Sequence, residues 1–531
     1  MLKLNYDCLL MEKTLSANKV KSWLSDNKEI SFIDVREIGQ HTEGHPFFSI
    51  SVPYSIFEYR LLELLPNKNV RVVLFDNNDG IANLAAKQAK LIGYKNIFIL
   101  ENGIDGWLNA GFELFDGINV PSKSFGELVE HKYNTPSITS NELFNKQKQK
   151  KDLIILDGRP FEEYEKMSIP GSICCPNAEI PYKISSLVKN TKTEIIVNCA
   201  GRTRSIIGAQ ALINFGVENK VYALENGTQG WFLSDLKLDH GKKNYLDIQP
   251  NEEEIKKLNS KIKSLLIDNE IEIINLKKAN DLISKKDRST FIFDVTTKKS
   301  LKDKVSFIKN VPGGQLVQAT DNFVGVLNSQ IILLDEGDLV RSGITALWLK
   351  KLNFDCYVLD VKHEEIKNLN FKNNKEYESQ TAQKLTLNEL KNMRNILIFD
   401  IRNSVDFCKS RLKQSTWLNR CNLKDYNNLI KKNVILVCDD LHKLSLIQKD
   451  LNIKFPDIDI KVYYWDEIDK DKFSEYFDTS EIQMNKNFID FNFHTYLRHN
   501  GNKEHATQYL KWETGLLDRM DKEETSFFKY F

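Results

Sequence analysis

Cys199, Gly201, Arg202, Arg204 and Ser205 fall within one short stretch, EIIVNCAGRTRSIIGAQ, running from Glu194 to Gln210. A thiol beside two guanidinium groups suits nucleophilic chemistry, because the thiolate is favoured by neighbouring cations and by a helix N-terminus. Gly201 lets the chain turn tightly around the sulfur. Successive backbone N–H groups in such a turn converge into an anion-binding nest, and the helix opening at Ser205 adds positive potential. The residues Cys199, Ala200, Gly201, Arg202, Thr203, Arg204 and Ser205 therefore form a candidate site for an oxyanion or a persulfide, with Cys199 as the reacting group.

Something must place that loop, and the β-branched run Ile195-Ile196-Val197 predicts a buried strand ahead of it. The arrangement recurs. FIDVR, ILDGR, FIFDV and IFDIR each end an apolar run in aspartate: Asp34, Asp157, Asp294 and Asp400. About 40 residues later a second run leads into Asp76, Cys199, Asp335 and Asp439. A helical pattern and a third apolar run follow each time. Strands alternating with helices predict an α/β fold with mainly parallel sheets flanked by helices. Four tandem domains are expected, at 1–118, 130–242, 268–365 and 384–470, followed by a helical extension at 471–531. In that extension Tyr509, Leu510, Leu516 and Leu517 make an apolar stripe, suited to a clamp between domains or a homodimer contact. Residues 116–138 read as an ordinary linker, and 249–266 as a helix starting after Pro250.

In repeat 2 the order is Asp157-x-Arg159, then Ile169-Pro170-Gly171, then CAGRTRS, then Glu225-Asn226-Gly227 with Gly230-Trp231. This order resembles a rhodanese, or thiosulfate sulfurtransferase, domain, and the whole chain resembles bacterial proteins with four tandem rhodanese repeats. The resemblance implies a covalent, double-displacement sulfur transfer. Cys199 would take sulfane sulfur from a small anionic donor such as thiosulfate, and a thiol, a protein or cyanide would accept it. Arg202 and Arg204 would hold the donor's anionic end, and no cofactor or metal is required. Two arginines favour a dianion over mercaptopyruvate, whose transferases carry small and hydroxyl residues in this loop. A rhodanese-fold phosphatase or arsenate reductase would need arginine at the sixth position after the cysteine, where Ser205 stands. A persulfide carrier or scaffold without turnover is the non-enzymatic alternative.

The other repeats are expected to be degenerate. Asp76 replaces the cysteine in repeat 1. Asp335 replaces it in repeat 3, with Arg341 where Ser205 would be. In repeat 4 Asp439 takes the place, and the adjacent Cys438 reads as a strand cysteine. Asp157 and Arg159 recur in repeats lacking the thiol, so they read as a structural ion pair with at most a supporting role. Trp231 reads as packing or as a wall of the pocket. Cys174 and Cys175 should straddle one strand, and His41 and His45 read as isolated surface histidines.

Lys+Arg total 74 against 73 Asp+Glu, so no overall field favours nucleic acid or an anionic membrane. No apolar window approaches a membrane span, and the N-terminus lacks a signal-peptide pattern. The eight cysteines lack metal-ligand or disulfide-framework spacing. These features suit a soluble, cytoplasmic protein whose cysteines, Cys8 among them, are mostly buried apolar residues.

Overall fold

A computed structural model of the chain describes residues 13–285, 287–297, 308–370, 383–390, 396–426, 433–499 and 501–529. Cys8 lies outside the described residues. Four five-stranded parallel sheets follow one another along the chain, with the same strand order 1-5-4-2-3 in each. In repeat 2 the strands are Ser137–Ile138, Leu153–Asp157, Ile173–Cys174, Glu194–Asn198 and Val221–Leu224. The apolar runs recognised in the sequence are the three central strands. The two edge strands are too short to show a period. Central strands such as Gln330–Leu334 are buried at every residue, as expected where helices cover both faces of a parallel sheet.

The repeats dock through specific contacts. Repeat 1 meets repeat 3 where Leu327 N–H donates to Ile30 O and where Glu29 accepts from the Ser289 amide and hydroxyl. Repeat 1 meets repeat 4 through Arg420, which is fully buried against Glu58. Repeat 2 meets repeat 3 through Arg341 and Glu179. Helix Glu252–Asp268, capped by Asn251 and Glu254 in a reciprocal box, lies between them. Its Ile262 packs at Gly343, and its Glu254 pairs with Lys189.

Two expectations need correction. Residues 116–138 are no mere linker, because Val120–Tyr133 is a 14-residue helix packed along the helix that follows Cys199. His41 and His45 are buried at 3% and 1% exposure and stacked with ring centres 3.7 Å apart. His41 Nδ1 lies 2.9 Å from Asp34, so the pair belongs to the ion-pair network at the end of the first strand.

The C-terminal segment is a strap that touches every repeat. Ile482 N–H donates to Cys408 O in repeat 4, and Ile489 O accepts from Gly39 in repeat 1. Helix Lys503–Thr514 lies against repeat 2, with Lys503 paired to Asp235. Lys529 N–H reaches Lys351 O in repeat 3. Among the described residues, no helix is long and apolar enough to cross a membrane.

Candidate active site around Cys199

The strand Glu194–Asn198 lies inside its sheet, between Leu153–Asp157 and Val221–Leu224. It delivers Cys199 to the N-terminus of helix Thr203–Asn214. The Cys199 side is 2% exposed, and its Sγ lies 3.7 Å from Ser205 Oγ. The Ser205 hydroxyl donates to Arg202 O at 2.8 Å, which leaves its lone pairs facing the sulfur. No partner among the described residues accepts from the six backbone N–H groups of Ala200 to Ser205.

What such a nest holds is visible in two other repeats. Asp76 accepts from the amides of Asn78, Gly80 and Ala82 at 2.9–3.0 Å. Asp335 accepts from the amides of Gly337, Leu339 and Ser342 at 2.9–3.1 Å. Each degenerate loop is closed around its own carboxylate, whereas the Cys199 loop keeps its donors available to an incoming anion. Ser342, rather than Arg341, supplies the hydroxyl equivalent to Ser205, since its Oγ donates to Asp335 at 2.7 Å. Arg341 turns away to Glu179, Glu336 and Asp338. Counting residues from the aspartate placed it one position wrong, because the repeat 3 loop is one residue longer.

The loop arginines are each paired with carboxylates of neighbouring elements. Arg202 grips Glu127 with Nε at 2.7 Å and Nη2 at 2.8 Å and also pairs with Glu130. Arg204 is bidentate to Glu163 at 2.8 and 2.7 Å and bonds Gln315 at 2.9 Å. Both groups border the cavity, but their charge is matched by carboxylates. They hold the loop against its neighbours.

Asp157 and Arg159 form a buried pair with Nε–Oδ1 2.8 Å and Nη2–Oδ2 2.7 Å, and Nη2 also donates to Met167 O. Arg36 and Arg402 repeat this geometry on Asp34 and Asp400, in accord with a structural role. Trp231 does not wall the cavity. It is 1% exposed, and its Nε1–H donates to Lys237 O, as Trp107 does to Glu113 O. Cys174 and Cys175 are both core residues, at 3% and 2% exposure. Burial pushes the Cys174 thiol up to about 12. Cys438, not Asp439, stands at the register position of Cys199, because Asp400 pairs with Val437 as Asp157 pairs with Asn198. It ends the strand Asn433–Cys438, and burial pushes its thiol to about 12 as well.

The Glu-Asn-Gly motif gains a physical reason. Gly227 has φ +52°, and a Cβ there would stand 2.2 Å from Cys199 O. The following amides of Thr228 and Gln229 take the carbonyls of Cys199 and Ala200 at 2.9 and 3.1 Å, so those carbonyls face away from the nest. Gly227→Ala is expected to lose about 1–3 kcal/mol of stability, read from urea unfolding. Gly241→Ala, at φ +67° with open space around it, shares the backbone strain without the collision and should lose less.

A cavity of about 260 Å³ opens above the sulfur. Sequence reasoning missed much of its wall. Lys123 comes from the supposed linker, and Arg498, His499 and Tyr509 come from the strap. Glu513 of the strap is fully buried, accepts from the Thr203 hydroxyl at 2.7 Å and pairs with Lys123 at 3.2 Å. Burial alone would raise its carboxyl, but Lys123 and Thr203 outweigh that and hold it below the ordinary range. The only advance signal was the apolar stripe through Tyr509. Among the described residues, no cluster of three His, Cys, Asp or Glu could hold a metal ion.

Burial, helped by Arg498 and Lys166, lowers His499 from an ordinary 6.5 to about 4. Between those values the unfolded chain binds a proton that the folded imidazole refuses, so stability falls as pH drops through that window. His499→Asn is expected to lose less unfolding free energy than the unaltered chain between pH 7 and pH 5, by urea titration at each pH.

The rhodanese-like domain family matches residues 16–110 and 140–234. No curated protein matches the chain. Among solved structures the chain is similar to the thiosulfate sulfurtransferase from Pseudomonas aeruginosa, at 28% identity. The likeness covers 97% of this chain and 99% of that one, with a TM-score of 0.88. A rhodanese-related protein from Thermoplasma volcanium is 27% identical over 20% of this chain and 97% of its own, at TM-score 0.17. A 3-mercaptopyruvate sulfotransferase from Escherichia coli is 15% identical over 40% of this chain and 97% of its own, also at 0.17.

Proposed function

As a member of the rhodanese superfamily, the chain has a fold that supports sulfurtransferase activity, and we propose that it moves sulfane sulfur from thiosulfate or a similar anionic donor through a persulfide on Cys199. The observation that carries this reading is the contrast between loops. Six amides around Cys199 are without partners among the described residues, while Asp76 and Asp335 fill the equivalent nests. The whole-length likeness to a thiosulfate sulfurtransferase supports the choice of donor.

In the first half-reaction the Cys199 thiolate attacks the outer sulfur of thiosulfate. A Cys–S–S bond forms, the donor's S–S bond breaks, and sulfite leaves with that electron pair. The persulfide's terminal sulfur carries the negative charge into the amide nest, which is preorganised to receive it. In the second half an acceptor nucleophile, cyanide or a thiolate, attacks the terminal sulfur and regenerates the Cys199 thiolate. Ser205 Oγ lies where it can orient the sulfur.

The catalytic unit is 130–242. The units 1–118, 268–365 and 384–470 and the extension 471–531 support it. A reducing compartment, the cytoplasm, suits a protein whose described cysteines are all free. The test is continuous thiocyanate formation from thiosulfate and cyanide by the full chain. Sustained turnover is expected. A single stoichiometric release of sulfite would identify a carrier instead.

A further inference from the structure

Charge is nearly balanced around the cavity. Glu163 matches Arg204, Glu127 and Glu130 match Arg202, Glu513 matches Lys123 and Asp157 matches Arg159. Two cations on the cavity wall remain, Lys166 and Arg498, and neither has a carboxylate partner among the described residues. Lys166 is exposed at the end of helix Phe161–Lys166. Arg498 lies over the Tyr509 ring, its guanidinium carbon 4.6 Å from the ring centre. Its Nη1 donates to Thr495 O at 3.3 Å, and its enclosed Nε has no partner.

We propose that Arg498, together with Lys166 on the same cavity, receives the anionic sulfonate end of the donor, so that a residue of the C-terminal strap sets the donor preference of the Cys199 site. This rests on the sulfurtransferase reading. A donor whose outer sulfur faces Cys199 has its three sulfonate oxygens directed away from the nest, toward the mouth of the cavity. Two cations free of carboxylates match a dianion. The planar fork of Arg498 can bond two sulfonate oxygens at once, while Lys166 acts as a point charge. Tyr509 fixes the guanidinium plane by stacking. The strap thereby supplies what Arg202 and Arg204, held by carboxylates, do not.

The experiment is steady-state kinetics of the full chain with thiosulfate as varied donor and cyanide as acceptor. Arg498→Gln is expected to raise KM for thiosulfate roughly 10- to 100-fold, the worth of a charge-assisted contact, with kcat changing far less, and Arg498→Lys should recover part of the loss. Lys166→Met, at an exposed position, should raise KM to a smaller extent. Lys503→Ala, which breaks an exposed pair with Asp235 and a contact over the Phe232 ring away from the cavity, should match the unaltered chain. An unchanged KM in both Arg498→Gln and Lys166→Met overturns the proposal while leaving the sulfurtransferase reading intact. Sulfite binding by calorimetry reads the same clamp without turnover. Weaker binding in Arg498→Gln supports the clamp even if no thiocyanate forms, and equal binding overturns it.

Discussion

Cys199→Ser is expected to abolish sulfur transfer, lowering the rate by at least about three orders of magnitude. A serine hydroxyl in the same nest is not ionised near neutral pH and cannot hold sulfane sulfur as a persulfide. No other described cysteine can substitute, because none lines the cavity. Burial raises the thiols of Cys174, Cys175, Cys356, Cys408, Cys421 and Cys438, which removes the thiolate that would react. Intact-mass analysis after thiosulfate treatment should show one added sulfur on the unaltered chain and none on Cys199→Ser. Cys438→Ser should turn over at the unaltered rate. Full activity in Cys199→Ser would refute the site.

The second large effect concerns assembly. Arg420 reaches from repeat 4 into repeat 1, where its Nη1 and Nη2 grip Glu58 at 2.6 and 2.9 Å. Its Nε bonds Asp450 at 2.7 Å, Nη1 donates to Tyr54 O at 3.0 Å, and the guanidinium stacks 4.2 Å from the Tyr54 ring centre. Both partners of the Arg420–Glu58 pair are 0% exposed. Arg420→Ala should cost about 3–5 kcal/mol, because it leaves the Glu58 carboxylate buried without a counter-charge. Replacing both Arg420 and Glu58 by leucine should cost less, since the fully buried Glu58 charge goes with its partner and only the partly exposed Asp450 loses its pair. Chemical denaturation compares the two. If the single and double replacements were equally destabilised, packing at Arg420 would matter more than charge.

Much of this molecule was legible because its units repeat. The central strands announce themselves as apolar runs about 40 residues apart, and Cys199 stands out against Asp76 and Asp335 at matching places. In repeat 4, by contrast, counting chose Asp439, one position beyond Cys438, the residue that the strand register aligns with Cys199. The structural reading of Asp157 and Arg159 followed from the same comparison and agrees with the three identical ion pairs. Partners distant in sequence were not legible. Arg202 and Arg204 looked available because Glu127, Glu130 and Glu163 lie in elements that only folding brings beside them. Arg498 and Tyr509 reach the cavity from a strap of weak periodicity, where irregular segments alternate with short helices. Lys123 was hidden in a helix whose Pro121 and Gly126 read as linker. Ser342 was missed because a one-residue change in loop length defeats counting.

The aspartates that close the loops of repeats 1 and 3 have a consequence for any attempt to place a thiol there. A loop whose donors bind Asp76 or Asp335 carries a permanent internal ligand, so its folding no longer depends on keeping a vacant anion site. Restoring chemistry there would require more than returning a cysteine. The helices after Asp76 and Asp335 start one residue later than the helix after Cys199, so the loop must also shorten. Reproducing the Cys199 loop there would take a deletion as well as a substitution, and would give up the hydrogen bonds that each aspartate now accepts. Repeats 1 and 3 therefore keep the fold with loops filled from within, while the amides around Cys199 have no such internal ligand among the described residues.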